Sequence, residues 1–313
     1  MRNIIEAVPN FSTSNPTVVK AILNELKKIA NVYLLDYTYD DYYNRLVVSF
    51  VGNENSILQA SLKMAAKGIE LIDMNQHKGQ HPRIGAVDVF PFIPLRHISI
   101  ETCVRIAKKF GKSLAEKHQV PVYLYGMAAE PERSDLDWIR KGEYEALFEM
   151  IRKPERKPDY GPAVPHPTAG ATITGARKVM AGFNVNLNTS DLKVAKKIAR
   201  TLHAKKGGFA TVKAMAASVP KKKITQIGMS ITNFDQTPLY RVFEVLKLEA
   251  ARHNVSIMSS EFCGMTPIKS LIDIAAYYLK IDNLSEDRVL EIAIQKAMEK
   301  DLQHDQRKSR LGN

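Results

Sequence analysis

The stretch best equipped for chemistry is Asp73-Met74-Asn75-Gln76-His77-Lys78-Gly79-Gln80-His81-Pro82-Arg83-Ile84-Gly85-Ala86-Val87-Asp88. Two histidines, a lysine, an arginine and two acids surround two glycines and a proline. Histidine both takes and gives a proton near neutral pH, so acid–base catalysis is the first reading. Zinc is the second, because His77 and His81 imitate a helical ligand pair. Gly79 and Pro82 oppose a helix, however, and Lys78 stands where zinc proteases carry a glutamate. No metal is expected. The plain alternative is a surface loop with incidental histidines, although structured loops carry reactive groups more often than the elements they join.

Gly170-Ala171-Thr172-Ile173-Thr174-Gly175-Ala176-Arg177 has the glycine spacing of a phosphate-binding loop. It fails where that motif is most specific, with Ala176 and Arg177 in place of Lys and Ser/Thr. It reads better as a Gly-bounded connection into the second half, with Arg177 and Lys178 able to meet a carboxylate. Arg152 to Gly170 contains Pro154, Pro158, Pro162, Pro165 and Pro167, which excludes a helix or a central strand there. A long irregular segment of this kind is a linker or a functional loop. Lys213 to Ser230 holds no acid and reads as a solvated edge.

The elements that position these groups follow from periodicity. Strands are predicted over 3–8, 32–35, 45–51, 85–93 and 120–125, with a turn at Pro9–Ser12. Leu46, Val48 and Phe50 alternate with Val47 and Ser49. Helices are predicted from Asn15-Pro16, over 57–72 and over 99–118. After the proline-rich stretch come strands over 179–187, 225–232 and 256–259, with helices over 190–206, 238–253, 267–279 and 285–300. The class is α+β: two sandwich-like halves, each a mixed or antiparallel sheet covered by helices. The boundary is placed between an N-terminal part, 1–178, and a C-terminal part, 179–313.

The chain has 313 residues, 45 Lys+Arg and 33 Asp+Glu, giving a net charge of +12. Hydrophobic content of 45% and charged content of 25% are globular values, which excludes disorder, collagen and coiled coil as the main architecture. No apolar run reaches the roughly 18 residues of a membrane span. Met1-Arg2-Asn3-Ile4-Ile5-Glu6 has no apolar core for a secretory signal, so a cytoplasmic protein is expected. Cys103 and Cys263 cannot build a disulfide framework. The basic residues are dispersed. Lys221-Lys222-Lys223 and the tail run Arg307-Lys308-Ser309-Arg310 read as solvated charge, so no nucleic-acid partner is expected.

Several stretches together resemble the glutamate formimidoyltransferase family. They are Glu6-Ala7-Val8-Pro9-Asn10-Phe11-Ser12, Leu71-Ile72-Asp73-Met74, His77-Lys78-Gly79, His81-Pro82-Arg83-Ile84-Gly85-Ala86-Val87-Asp88-Val89, Pro91-Phe92-Ile93-Pro94, Val120-Pro121-Val122-Tyr123-Leu124-Tyr125-Gly126, Gly142-Glu143-Tyr144-Glu145-Ala146-Leu147 and Gly175-Ala176-Arg177-Lys178. The resemblance covers nearly the whole chain. It implies a free-standing transferase without a cyclodeaminase, two subdomains with a folate cleft between them, and a homodimer. Tetrahydrofolate is implied as cosubstrate and formiminoglutamate as donor.

The family's catalytic histidine matches His81. Its folate loop matches Gly161, Pro162, Ala163, Val164, Pro165, His166, Pro167, Thr168, Ala169 and Gly170. The reading makes His81 the proton shuttle, Asp88 its orienting or charge-stabilising partner, and Asp36 a contact of the amidinium or pterin. Asn44, Arg45, Arg83, Arg177 and Lys178 are assigned to the donor or to substrate carboxylates. Two stretches depart from the family pattern. Asp36-Tyr37-Thr38-Tyr39-Asp40-Asp41-Tyr42-Tyr43-Asn44-Arg45 has Thr38 where a second acid is usual and tyrosines where small residues are usual. His166-Pro167-Thr168-Ala169 replaces a more aromatic sequence. Formiminoglycine or 5-formyltetrahydrofolate chemistry, or folate binding without catalysis, are the alternatives.

Overall fold

The computed structural model describes residues 3–219 and 222–298. Lys221, the tail run 307–310 and the last two residues of the helix expected over 285–300 lie outside the described residues. The chain divides into two compact units, Met1–Val179 and Met180–Asn313.

The first unit is built on a mixed seven-stranded sheet. Its β1 (Ile4–Ala7) and β2 (Asn10–Phe11) both pair antiparallel with β4 (Arg45–Gly52) and with β5 (Val87–Arg96). They form one interrupted strand between those two neighbours. Half of the turn expected at Pro9–Ser12, Asn10 and Phe11, is therefore strand. Proline has no N–H to give a ladder, but the Pro9 carbonyl still accepts from Val48 N at 3.0 Å.

β3 (Val32–Asp40) runs antiparallel on the outer side of β4. It extends five residues past the strand expected over 32–35. Tyr33, Leu34, Leu35, Tyr37 and Tyr39 are all exposed on it, so burial did not shape its pattern. In β4, Leu46, Val48 and Phe50 are fully buried, as their alternation predicts.

The main correction concerns the glycine-bounded connection. β7 (Thr172–Ala176) is a buried strand lying parallel between β5 and β6 (Val122–Gly126). The spacing of a phosphate loop serves packing instead. A Cβ on Gly175 would sit 2.2 Å from the Tyr125 carbonyl oxygen.

α1 (Pro16–Asn24) and α3 (Ile100–His118) start where expected, whereas α2 (Glu54–Leu71) starts three residues before the helix expected over 57–72. The Asn15 side chain accepts from Thr17 N and Val18 N, Asn53 from Asn55 N and Ser56 N, and Ser99 from Thr102 N. The core against these helices includes Phe50, Phe90, Phe92 and Phe110, with the Phe90 and Phe110 rings 4.6 Å apart. Two short helices outside the expected pattern, α4 (Leu136–Ile139) and α5 (Glu143–Met150), precede the proline-rich stretch.

The second unit carries an antiparallel sheet of β8 (Ala181–Leu187), β9 (Val212–Val219), β10 (Ile224–Ile231) and β11 (Ile257–Cys263), in the order β11-β8-β10-β9. α6 (Leu192–Leu202), α7 (Leu239–Arg252) and α8 (Ile268–Leu279) accompany it. Val185, Leu187, Ile198, Ile227, Val242 and Leu246 form its core. The described residues of the acid-free run 213–230 fall mainly on β9, an edge strand, and on β10 beside it. Each unit is α+β, with helices packed on its own sheet.

Candidate active site

The connection from the end of α2 at Leu71 to the start of β5 at Val87 carries the histidines and is anchored at both ends. Backbone contacts tie it to the proline-rich loop. Met74 N donates to Thr168 O at 2.7 Å, Ala86 N to Ala169 O at 2.9 Å, and Ala171 N to Ile84 O at 3.0 Å. Asn75 Nδ2 donates to Pro167 O at 2.9 Å. Gly85 and Gly170 form a bridge, and a Cβ on Gly85 would meet the Ala171 carbonyl at 2.0 Å. The structure thus brings the expected histidine segment and the inner end of the expected folate loop, Pro167–Gly170, side by side. The outer residues Gly161, Ala163 and Val164 are exposed, with Pro162 and Pro165 half-buried between them.

His166 organises the loop tip. Its Nδ1 accepts from Thr168 N at 3.3 Å and Ala169 N at 3.0 Å. Its backbone exchanges both hydrogen bonds with Gly170, which has a φ of +68°.

The two histidines of the segment differ in what their nitrogens do. His77 Nε2 lies 3.0 Å from the Asn44 carbonyl oxygen, which can only accept, so this nitrogen carries the proton. His77 Nδ1 accepts from Arg83 Nε at 3.2 Å. Both nitrogens are engaged, and His77 is a structural pin. His81 Nδ1 lies 2.8 Å from the Pro82 carbonyl oxygen, and the same reasoning puts its proton on Nδ1. Among the described residues, His81 Nε2 has no hydrogen-bond partner, so its lone pair is free. The Tyr43 ring stands edge-on to this imidazole at 6.2 Å.

Burial and the positive charge of Arg45, with a further push from Arg140, lower the His81 pKa to about 4. The ring is therefore a neutral base at neutral pH.

Asp88 is fully buried, but it does not hold His81. Its Oδ2 pairs with Arg45 Nη1 at 2.9 Å and with Arg140 Nη2, and its Oδ1 accepts from Ile84 N at 3.0 Å. It makes no hydrogen bond to the ring, whose Nδ1 meets Pro82 O, but its negative charge favours the protonated imidazole while it holds two guanidiniums. Burial raises its proton affinity, but Arg140 and Arg45 outweigh this and keep the carboxyl below its ordinary range.

Arg83 meets two protein carboxylates. It forks onto Glu145 at 2.6 and 2.9 Å and reaches Glu143 at 2.7 Å, fastening the segment to α5. Asn44 is likewise occupied: Oδ1 accepts from Ser14 N and Nδ2 donates to Lys78 O.

Arg45 also donates to Asn10 Oδ1 at 3.0 Å. Asp36 is half-buried on β3 opposite Ser49, without a side-chain partner among the described residues. Arg177 Nη1 donates to the Lys178 carbonyl, and the Arg177 charge acts on Glu6. Glu6 is buried, which raises its pKa despite Arg177 and a hydrogen bond with Ser49. Lys178 is exposed. Arg140, 52 residues from Asp88, has no local sequence signal. Only the fold brings it to the site. Among the described residues no cluster of three metal-ligating side chains occurs, and no helix is long and apolar enough to cross a membrane.

Residues 4–177 match the model of the formiminotransferase domain, N-terminal subdomain, and residues 182–311 match that of the formiminotransferase domain. A glutamate formimidoyltransferase of Thermoplasma acidophilum is 42% identical over 299 residues, covering 94% of this chain and 98% of that protein. One from Streptococcus pyogenes serotype M1 is 40% identical, covering 90% and 95%. A mouse formimidoyltransferase-cyclodeaminase is 41% identical, covering 91% of this chain and 54% of that protein.

Proposed function

The chain belongs to the formiminotransferase family, and from that membership we infer that it moves the formimino group of N-formimino-L-glutamate to N5 of tetrahydrofolate, with His81 as the proton shuttle. The observation that carries the role of His81 is the asymmetry of the two imidazoles. His77 has no free nitrogen, whereas His81 is neutral with its Nε2 lone pair open.

In this reading the N5 lone pair attacks the amidine carbon, and the C=N π pair moves onto nitrogen. The tetrahedral adduct carries a proton on N5. His81 Nε2 takes that proton and gives it to the glutamate nitrogen. The lone pair on the remaining formimino nitrogen then re-forms C=N as the C–N bond to glutamate breaks, and that bond's electron pair leaves with the amine. A histidine held at about 4 before the donor binds is a weak base, and it takes the proton from the strongly acidic ammonium that N5 becomes on attack. It then returns the proton readily to a more basic amine. Holding both substrates in attack geometry supplies the rest.

The folate is assigned to the 161–170 loop, whose inner end is stitched to the His81 segment. Asp36, half-buried and without a side-chain partner among the described residues, is assigned to the amidinium or the pterin. Residues 1–178 are assigned as the catalytic subdomain and 179–313 as its C-terminal companion. A homodimer and a cytoplasmic setting complete the reading. The exposed apolar edge of β3 is one surface a second copy can pair with.

The test is a donor panel, following acid conversion of the product to methenyltetrahydrofolate by absorbance. Turnover with formiminoglutamate supports the reading. Turnover only with formiminoglycine, or ADP release only with 5-formyltetrahydrofolate and ATP, replaces it.

A further inference from the structure

Three charges are packed beside His81, and they do not cancel. Asp88 is fully buried and supplies one negative charge. Arg45 and Arg140 both pair with its Oδ2, and their side chains are 9% and 10% exposed. Asp88 Oδ1 is already taken by Ile84 N. Arg83, the neighbouring buried guanidinium, is compensated separately by Glu143 and Glu145 and offers no counter-charge. The cluster Arg45–Asp88–Arg140 therefore keeps one positive charge more than it can neutralise.

An unbalanced buried charge is costly. It is kept where a ligand supplies its counter-ion. A second observation points the same way. Arg140 Nε is buried and, among the described residues, has no hydrogen-bond partner. Orphaned buried donors are uncommon. Arg45 Nε, by contrast, is satisfied by Asn10.

We propose that Arg140, together with Arg45, seats the α-carboxylate of the amino-acid donor beside His81, with Asp88 fixing the two guanidiniums for it. The proposal rests on the formimino-transfer reading and names the donor class: N-formimino-α-amino acids. The α-carboxylate is borne by the same carbon as the departing nitrogen. Seating it at the arginine pair brings that nitrogen within reach of the imidazole that protonates it. The same contact changes the base. The groups facing His81 are Tyr43 from the β3–β4 turn, Arg45 from β4, Asp88 from β5 and Arg140 after α4. A bound carboxylate cancels the spare positive charge among them, so His81 becomes a stronger base only when the donor is in place.

The experiment compares N-formimino-L-glutamate with N-formimino-4-aminobutyrate, which lacks only the α-carboxylate. It uses the full chain as wild type, Arg140→Lys and Arg140→Gln, at saturating tetrahydrofolate. Wild type loses about 10- to 100-fold in kcat/KM when the carboxylate is removed, the range of a charge-assisted hydrogen bond. Arg140→Gln loses a similar factor on formiminoglutamate and little more on the analogue. Arg140→Lys keeps part of the discrimination, and KM for tetrahydrofolate stays put in all three. A merely structural arginine slows both donors alike.

Equal use of both donors by wild type, or full discrimination in Arg140→Gln, overturns the proposal. Wild type idle with both donors counts against the transferase reading instead. Calorimetry with L-glutamate and 4-aminobutyrate then decides the seat. Selective glutamate binding lost in Arg140→Gln supports it, and equal binding of the two overturns it. If the Arg140→Gln variant does not fold, the wild-type comparison and Arg140→Lys decide.

Discussion

Replacing Asp88 by Asn removes the only negative charge from a cluster of two buried guanidiniums. The carboxylate is fully buried and meets Arg45 Nη1 at 2.9 Å, Arg140 Nη2 and Ile84 N at 3.0 Å. The backbone bond to Ile84 survives in the Asp88→Asn variant, because an amide oxygen still accepts. What is lost is the charge, and two guanidiniums remain facing each other out of water. Breaking a buried pair by removing one partner costs about 3–5 kcal/mol. Against a total of about 5–15 kcal/mol this is a large fraction. With a urea slope of about 2 kcal/mol/M, the midpoint of the first unit falls by roughly 1.5–2.5 M.

The second unit has its own core, and its transition stays where it was. The assay is urea unfolding by circular dichroism, with Trp138 fluorescence reporting the first unit alone; it is the single tryptophan of the chain. Salt leaves the loss unchanged, because buried pairs are poorly screened. The pH dependence also has a fixed sign. The Asp88 carboxyl is held below its ordinary range, so its stabilisation is present above about pH 4 and fades as pH falls through the native value. The gap between wild type and Asp88→Asn therefore closes on acidification. A small midpoint shift that vanishes in salt refutes the reasoning.

Two further outcomes follow from the site. The acid limb of kcat/KM reports the free enzyme. It therefore lies near pH 4, where burial, Arg45 and Arg140 hold His81, and a limb near the ordinary histidine value contradicts that environment. His166→Ala removes the acceptor for Thr168 N and Ala169 N and raises KM for tetrahydrofolate about tenfold at little cost in kcat. His166→Asn, whose Oδ1 can accept in place of Nδ1, restores much of the loss, and an unchanged KM in His166→Ala removes the loop from the folate site.

Capping and alternation were readable without coordinates because they are local. Asn15-Pro16 and Ser99 start helices, and Leu46, Val48 and Phe50 face the core. β7 was hidden because Gly175 within it and Gly170 before it mimic a loop signal, while their reason is close approach to Tyr125 and Ile84. β3 was cut short because an edge strand needs no apolar alternation past Leu35. At the site, resemblance pointed to His81, but composition alone could not separate it from His77. The distinction lies in Asn44 O and Arg83 Nε, which occupy the His77 nitrogens through tertiary contacts. Arg83 and Asn44 meet protein partners remote in sequence, and Asp88 acts on His81 through its charge while bonding Arg45, Arg140 and Ile84 N. Arg140 left no trace, because its pairing with Asp88 spans 52 residues.

The most direct test of the account is His81→Ala, assayed with formiminoglutamate and tetrahydrofolate alongside a folate-binding titration. Loss of the proton shuttle lowers kcat by about 10²- to 10⁴-fold, while folate affinity is unchanged because the 161–170 loop is intact. Turnover retained at the wild-type rate contradicts the central claim.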